Sequence, residues 1–127
     1  MKKIIFTETA PAPVGPYSQA VQFGQVLFCS GQIPIDPKTN EVLKGSIEEQ
    51  TELVMENVGA VLKAAGLGFE DVIKTSIFIT DMGNFPRINQ VYAKYFPEVA
   101  PARSCVAVKE LPKSVDVEIE VIAGFPN

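Results

Sequence analysis

Pro101 to Glu120 reads P-A-R-S-C-V-A-V-K-E-L-P-K-S-V-D-V-E-I-E. A Leu111-Pro112 break separates two strand-like runs, Ser104 to Lys109 and Val115 onward to Gly124. Side chains alternate between faces along a strand, so Arg103 and Cys105 share one side of the first run. In the second, Asp116, Glu118 and Glu120 share one face while Val117, Ile119 and Val121 share the other. If the two runs pair as neighbours, an arginine and carboxylates converge on one patch. An arginine fork donates two parallel hydrogen bonds and keeps its charge, which suits it to a carboxylate or phosphate. The plainer reading of the same spacing is a cross-strand ion pair on a solvated sheet face.

Upstream of this stretch the chain alternates strands and helices. Ile4 to Phe6 is a short strand candidate, followed by an extended loop rich in proline and glycine from Thr7 to Pro16. Tyr17 comes straight after Gly-Pro, so a stiff backbone presents it, either as a positioned side chain or as a plug at the edge of the core. Gln19–Phe23 and Val26–Cys29 read as strands around a tight Gly24-Gln25 turn. The second of them runs into Ser30-Gly31-Gln32-Ile33-Pro34, where Gly31 permits close backbone approach and Ser30 supplies a hydroxyl. Asp36 to Asn40 is a surface turn.

Ser46 and Glu49 form an S-x-x-E capping box at the start of a helix. Val54, Val58, Val61, Leu62 and Ala65 recur at helical spacing, and Gly66 stands where a C-terminal cap belongs. Val72 to Thr80 is a β-branched, buried strand, with Lys74 and Thr75 at its mouth. Asn84 is placed to cap a second helix that tolerates Pro86 in its first turn. Its stripe of Phe85, Ile88, Tyr92 and Tyr95 reads as core or subunit contact and not as a cofactor box. Asn89 on the same helix is either a solvated amide or a ligand contact. The order β-β-β-α-β-α-β-β predicts an α+β sandwich, a mixed β-sheet with two helices packed on one face.

The chain has 127 residues, which fits one domain over 1–127 that buries about two-thirds of its unfolded surface. It has no histidine, which removes the commonest general base, histidine-based triads and most zinc sites. Cys29 and Cys105 form no C-x-x-C pair, so neither a redox motif nor a thiolate metal site is expected. The net charge of −4 and the lack of a basic run argue against a nucleic-acid partner. No window approaches a membrane span, and the N-terminal M-K-K-I-I-F-T-E is too short in apolar residues for a signal peptide. A soluble, cytoplasmic protein is expected.

Several segments together resemble the reactive-intermediate deaminase (RidA) family, the 2-iminobutanoate/2-iminopropanoate deaminases. They are P-A-R-S-C-V, G-P-Y-S-Q-A (Gly15–Ala20), S-G-Q-I-P (Ser30–Pro34), A-A-G-L (Ala64–Leu67), K-T-S-I-F (Lys74–Phe78), I-N-Q-V-Y (Ile88–Tyr92) and V-E-I-E. The resemblance implies a chorismate-mutase-like fold and a homotrimer with a cleft between each pair of subunits. It implies that Arg103 grips the carboxylate of a 2-imino acid and that Glu118 orients water. Tyr17, Ser30, Gly31, Asn89 and Cys105 fall on the family's other pocket positions. No cofactor or metal is implied, since a protonated imine is already an electrophile and needs only orientation, water and proton transfer. The rival readings are a carboxylate-binding or regulatory module without turnover, which has no need of Glu118, and a ribonuclease or translation inhibitor.

Overall fold

The computed structural model describes all 127 residues, Met1–Asn127. Strands β1 (Lys2–Ile5), β2 (Ala20–Phe23) and β3 (Val26–Cys29) form an antiparallel meander. Two-residue strands β4 (Ile35–Asp36) and β5 (Glu41–Val42) pair around the Asp36–Asn40 turn. There Asp36 Oδ1 accepts from Lys38 N at 2.8 Å, and Asn40 adopts a left-handed φ of 62°. Helix α1 (Ile47–Ala64), strand β6 (Val72–Ile79), helix α2 (Phe85–Ala93) and strands β7 (Ala102–Ala107) and β8 (Val117–Gly124) follow. The six long strands form one sheet in the order β1-β2-β3-β8-β6-β7.

Only β6 and β7 run parallel. Parallel neighbours need a crossover, and α2 supplies it, which lays α2 on the same face as α1. The core sits beneath the helices. Leu27, Ile77, Ile79, Val117 and Ile119 from the sheet pack against Val54, Met55, Val61, Leu62 and Ile88, all of them sealed from solvent. The mixed sheet with both helices on one face is the α+β architecture expected.

Local signals account for most element ends. The capping box is formed, with Glu49 N donating to Ser46 Oγ at 3.1 Å and Ser46 N to Glu49 Oε1 at 2.8 Å. Gly66 turns left-handed at φ 79°, and Leu67 N reaches back to Leu62 O at 2.9 Å to close the C-terminus. Several boundaries differ from expectation. The first strand begins at Lys2 and ends at Ile5, because pairing with β2 selects those residues. Helix α2 is not capped by the Asn84 side chain; a 3-10 turn precedes it, and Asp81 Oδ1 holds Gly83 N at 2.8 Å. The last two strands are shifted to Ala102–Ala107 and Val117–Gly124.

The larger difference is that β7 and β8 are not neighbours, since β6 lies between them. Thr75 of β6 stands opposite Arg103 on one side and Val121 on the other. β8 carries an unbroken row of buried Val117, Ile119, Val121 and Ala123, fit for a central strand, whereas β7 has no fully buried residue and stays at the edge.

Candidate active site

Register decides which side each residue faces. Residues directly opposite in a ladder point the same way, so Arg103, Cys105 and Ala107 share the helix face with buried Thr75, Ile77 and Ile79. Glu118 stands opposite Phe78, and Glu120 opposite Ser76, on the other face. Within one chain, therefore, Arg103 and the carboxylates lie on opposite faces of the sheet. The convergence expected from neighbouring strands does not occur, and neither does the simple cross-strand ion pair.

Arg103 is built into a cradle by α2. Its guanidinium carbon lies 5.2 Å from the Phe85 ring centroid and 5.1 Å from that of Tyr92, and Nη1 donates to Asn89 Oδ1 at 2.6 Å. Such stacking contributes about 0.5–1 kcal/mol per exposed pair and, more importantly here, fixes the plane of the fork. Tyr92 is fixed in turn by a buried 2.8 Å hydroxyl contact with Thr75. Burial raises the Tyr92 pKa, partly offset by the Thr75 hydrogen bond and the Arg103 charge, so the phenol stays protonated. A hollow of about 380 Å³ opens beside Asn89, Tyr92 and Arg103. The sequence reading missed Phe85 and Tyr92 as functional. Their seven-residue spacing on one helical face, set before an arginine strand, was the available signal.

Cys105 lies two residues along from Arg103, and its thiol packs against the core. Burial raises its pKa and the Arg103 charge only partly opposes this. Cys29, more deeply buried, is pushed up to about 12. Neither is poised as a thiolate. The Cys105 backbone is better placed than its thiol. Val108 N donates to Ile79 O at 2.7 Å, so the alternation of a parallel ladder turns the N–H and C=O groups of Arg103, Cys105 and Ala107 to the open edge.

Glu118 lies in a separate hollow of about 540 Å³, shared with Tyr17, Ser30, Gly31, Lys113 and Glu120. A bulge creates it. Between the Phe28–Ile122 pair and the Gln32–Ile119 bridge, three residues (Cys29 to Gly31) face two (Glu120 and Val121). The extra residue swings Gly31 over Glu118, so that a Cβ at position 31 would overlap Glu118 Oε2. Glycine here leaves the Glu118 carboxylate room against the backbone, with no unusual φ involved, and a methyl would displace the end of that side chain. Buried amides anchor the bulge: Gln32 N donates to Ile119 O at 2.8 Å, and Asn57 of α1 donates to Ile35 O at 2.9 Å.

The loop carrying Tyr17 is tied down as well. The buried Gln19 side chain accepts from Thr7 N at 2.7 Å and donates to Pro11 O at 2.8 Å. Ser30 Oγ donates to Ser18 O at 2.6 Å, leaving its lone pairs for a ligand. Glu118 is half-buried, and its pKa is raised first by burial and then by the neighbouring Glu120 charge. A carboxyl raised in this way holds a proton more readily than a free one, which suits it to accepting and returning a proton. Gln19 and Asn57 were not legible as site supports, because nothing in their spacing says which backbone they staple.

The structure thus sorts the candidate residues into two groups, Tyr17, Ser30, Gly31 and Glu118 in one hollow, and Asn89, Arg103 and Cys105 along the β7 edge. The family model described as Endoribonuclease L-PSP matches residues 7–125. The chain belongs to this family, that of the RutC and Rid proteins. The RutC family protein PH0854 of Pyrococcus horikoshii is 56% identical over 123 residues, 97% of this chain and 98% of that one. An Escherichia coli K12 protein named "Putative reactive intermediate deaminase TdcF" is 49% identical over 126 residues, 97% of each chain. The crystal structure of E. coli TdcF with bound serine superposes with a TM-score of 0.93 at 46% identity, covering 98% of this chain and 99% of that one. Membership in the RutC/Rid family accounts for the whole sheet-and-helix layout, and relatives named as deaminases support an enzymatic role. As to location, no helix is long and apolar enough to cross a membrane.

Proposed function

We propose that this RutC/Rid-family protein hydrolyses reactive 2-imino acids, 2-iminobutanoate and 2-iminopropanoate, to the 2-oxo acid and ammonia. We place the site between copies of a homotrimer. The observation that carries this reading is the pair of half-sites on opposite faces of the sheet. An anion clamp at an open edge and a proton-moving carboxyl in a hollow become one site where the edge of one copy meets the open face of the next.

That face supports assembly. Ile4, Phe23, Phe28 and Val106 stand on it about half exposed, with no helix over them. The bound serine in TdcF belongs to that protein; its carboxylate and α-nitrogen are the groups an imino acid would also present. The −4 charge and the absence of histidine give no support to a ribonuclease.

In the mechanism, Arg103 clamps the substrate carboxylate with the fork donors left free by Asn89. Tyr17, Ser30 and the Gly31 backbone line the other wall. Glu118, with the Cys105 carbonyl at the β7 edge, holds a water against the imine carbon. As the C–O bond forms, Glu118 takes a water proton and a carbinolamine results. Glu118 returns that proton to nitrogen, the C–N bond breaks and ammonia leaves, while the re-ionised Glu118 takes the hydroxyl proton as the carbonyl forms. Arg103 anchors and never acts as base, since a guanidinium does not deprotonate in proteins.

The direct test generates 2-iminobutanoate in situ with an amino-acid oxidase in the presence of semicarbazide. Active protein suppresses semicarbazone formation; an undiminished trapping rate at every protein concentration removes the deaminase reading and leaves a carboxylate-binding module.

Two variants probe the roles assigned. Removing the Glu120 charge removes one cause that raises Glu118. Glu120→Gln therefore lets Glu118 ionise at lower pH, and the acidic limb of kcat/KM moves toward lower pH. A limb that stays or moves upward sinks this coupling. Cys105→Ala keeps most of the turnover, because the backbone and not the thiol faces the edge, and costs roughly 1 kcal/mol of stability from lost packing. Complete loss of turnover in a folded variant would restore the thiol to the mechanism.

A further inference from the structure

A third hollow, of about 340 Å³, opens where the chain leaves α2. Phe69, Val72, Tyr95 and Phe96 line it, and Glu70 and Glu98 stand exposed at its mouth. The aromatic walls are mutually braced. Phe69 lies 5.0 Å from Tyr95 and packs edge-on to Phe96 at 5.7 Å, while Phe96 rests on buried Tyr92 at 4.9 Å. No lysine or arginine lines the hollow, and the one ion pair in the chain, Arg87–Glu48, leaves Glu70 and Glu98 without basic partners. Glu52 and Glu56 lie close enough to Tyr95 for their charges to help raise its pKa, after burial, so the surroundings are acidic too.

We propose that this hollow binds a small organic cation, an ammonium group carried on an apolar body. Aromatic rings attract a cation through the negative charge of their faces, and the effect grows when water is displaced. Two carboxylates without basic partners add Coulombic attraction at the mouth, while the apolar body replaces water against Val72 and Phe96. The volume falls at the lower end of the range for small-molecule sites. A ligand bearing a carboxylate, such as the 2-imino acid assigned to Arg103, is repelled by Glu70 and Glu98, so the two sites take opposite charges. The hollows share Phe96 and Ala100 as a wall, but Asn89, Tyr92 and Arg103 line only the other one. The inference does not rest on the deaminase reading.

The test is an NMR titration of the full-length, isotope-labelled protein with phenethylammonium chloride, alongside its neutral isostere 2-phenylethanol. Saturable shifts are expected at Phe69, Tyr95, Phe96 and Glu98, with a Kd of about 1 mM or tighter. Binding of the alcohol is expected to be weaker by about tenfold, and the Glu70→Gln/Glu98→Gln double variant to lose about tenfold toward the amine. Arg103→Ala should bind the amine as wild type does. The proposal is overturned by no saturation up to about 20 mM. Equal affinity for the alcohol, unchanged affinity in the double variant, or shifts centred on Asn89 and Arg103 would each overturn it as well.

Discussion

Arg103→Ala and Glu118→Ala are each expected to be nearly inactive alone, yet active together when co-expressed in one cell. Truncating one partner of a hydrogen-bonded charge pair costs about 2–4 kcal/mol, so Arg103→Ala should lose roughly thirtyfold to a thousandfold in kcat/KM. Removing the acid–base group should cost Glu118→Ala about a hundredfold or more in kcat. The two residues stand on opposite faces of one sheet, so in the proposed between-copy site Arg103 comes from one copy and Glu118 from another. In mixed head-to-tail rings about a quarter of the sites then pair an intact arginine with an intact glutamate, and activity recovers to about that share. Both side chains are partly exposed, so the variants should fold, which their thermal midpoints would verify. Co-expressed protein no more active than the single variants would place both residues in one chain's site, against the register, and end the between-copy model.

The second large effect is expected at Gly31. Its φ is not positive, so alanine fits the backbone, and any cost comes from what the new methyl meets. That neighbour is Glu118 Oε2. Gly31→Ala should push the carboxylate out of line and lower kcat by about a hundredfold, in the range for loss of general acid–base catalysis. Arg103 and Asn89 are untouched, so KM should change little, and Gly31→Val should be worse. A Gly31→Ala protein with wild-type kcat would show that Glu118 need not sit against this backbone, and the proton-transfer role assigned to it would fall. A variant in which KM rises while kcat holds would instead make Gly31 a binding contact only.

The elements were largely legible in the sequence because their signals are local. The Ser46–Glu49 box, the left-handed Gly66 and the alternation of V-E-I-E-V-I-A each act within a few residues, and the structure uses all three. Where a boundary moved, a neighbour moved it. Asp81 caps the approach to α2 because the chain first makes a 3-10 turn there. The candidate residues were named from local motifs, but their supports could not be. Gln19, Asn57 and the rings of Phe85 and Tyr92 act on groups eight or more residues away, and no periodicity records such contacts.

By itself the sequence determined the α+β class, the helix caps, the side of each strand that carries apolar residues, and a chemistry without histidine. Tertiary structure alone decided that β6 separates β7 from β8. A parallel β6-α2-β7 crossover takes one side of β6 and antiparallel β8 takes the other, so Arg103 faces the helices and Glu118 faces away. Alternation tells which residues share a face of one strand. Only pairing and register say which faces of different strands coincide, and that depends on contacts between residues far apart in the chain.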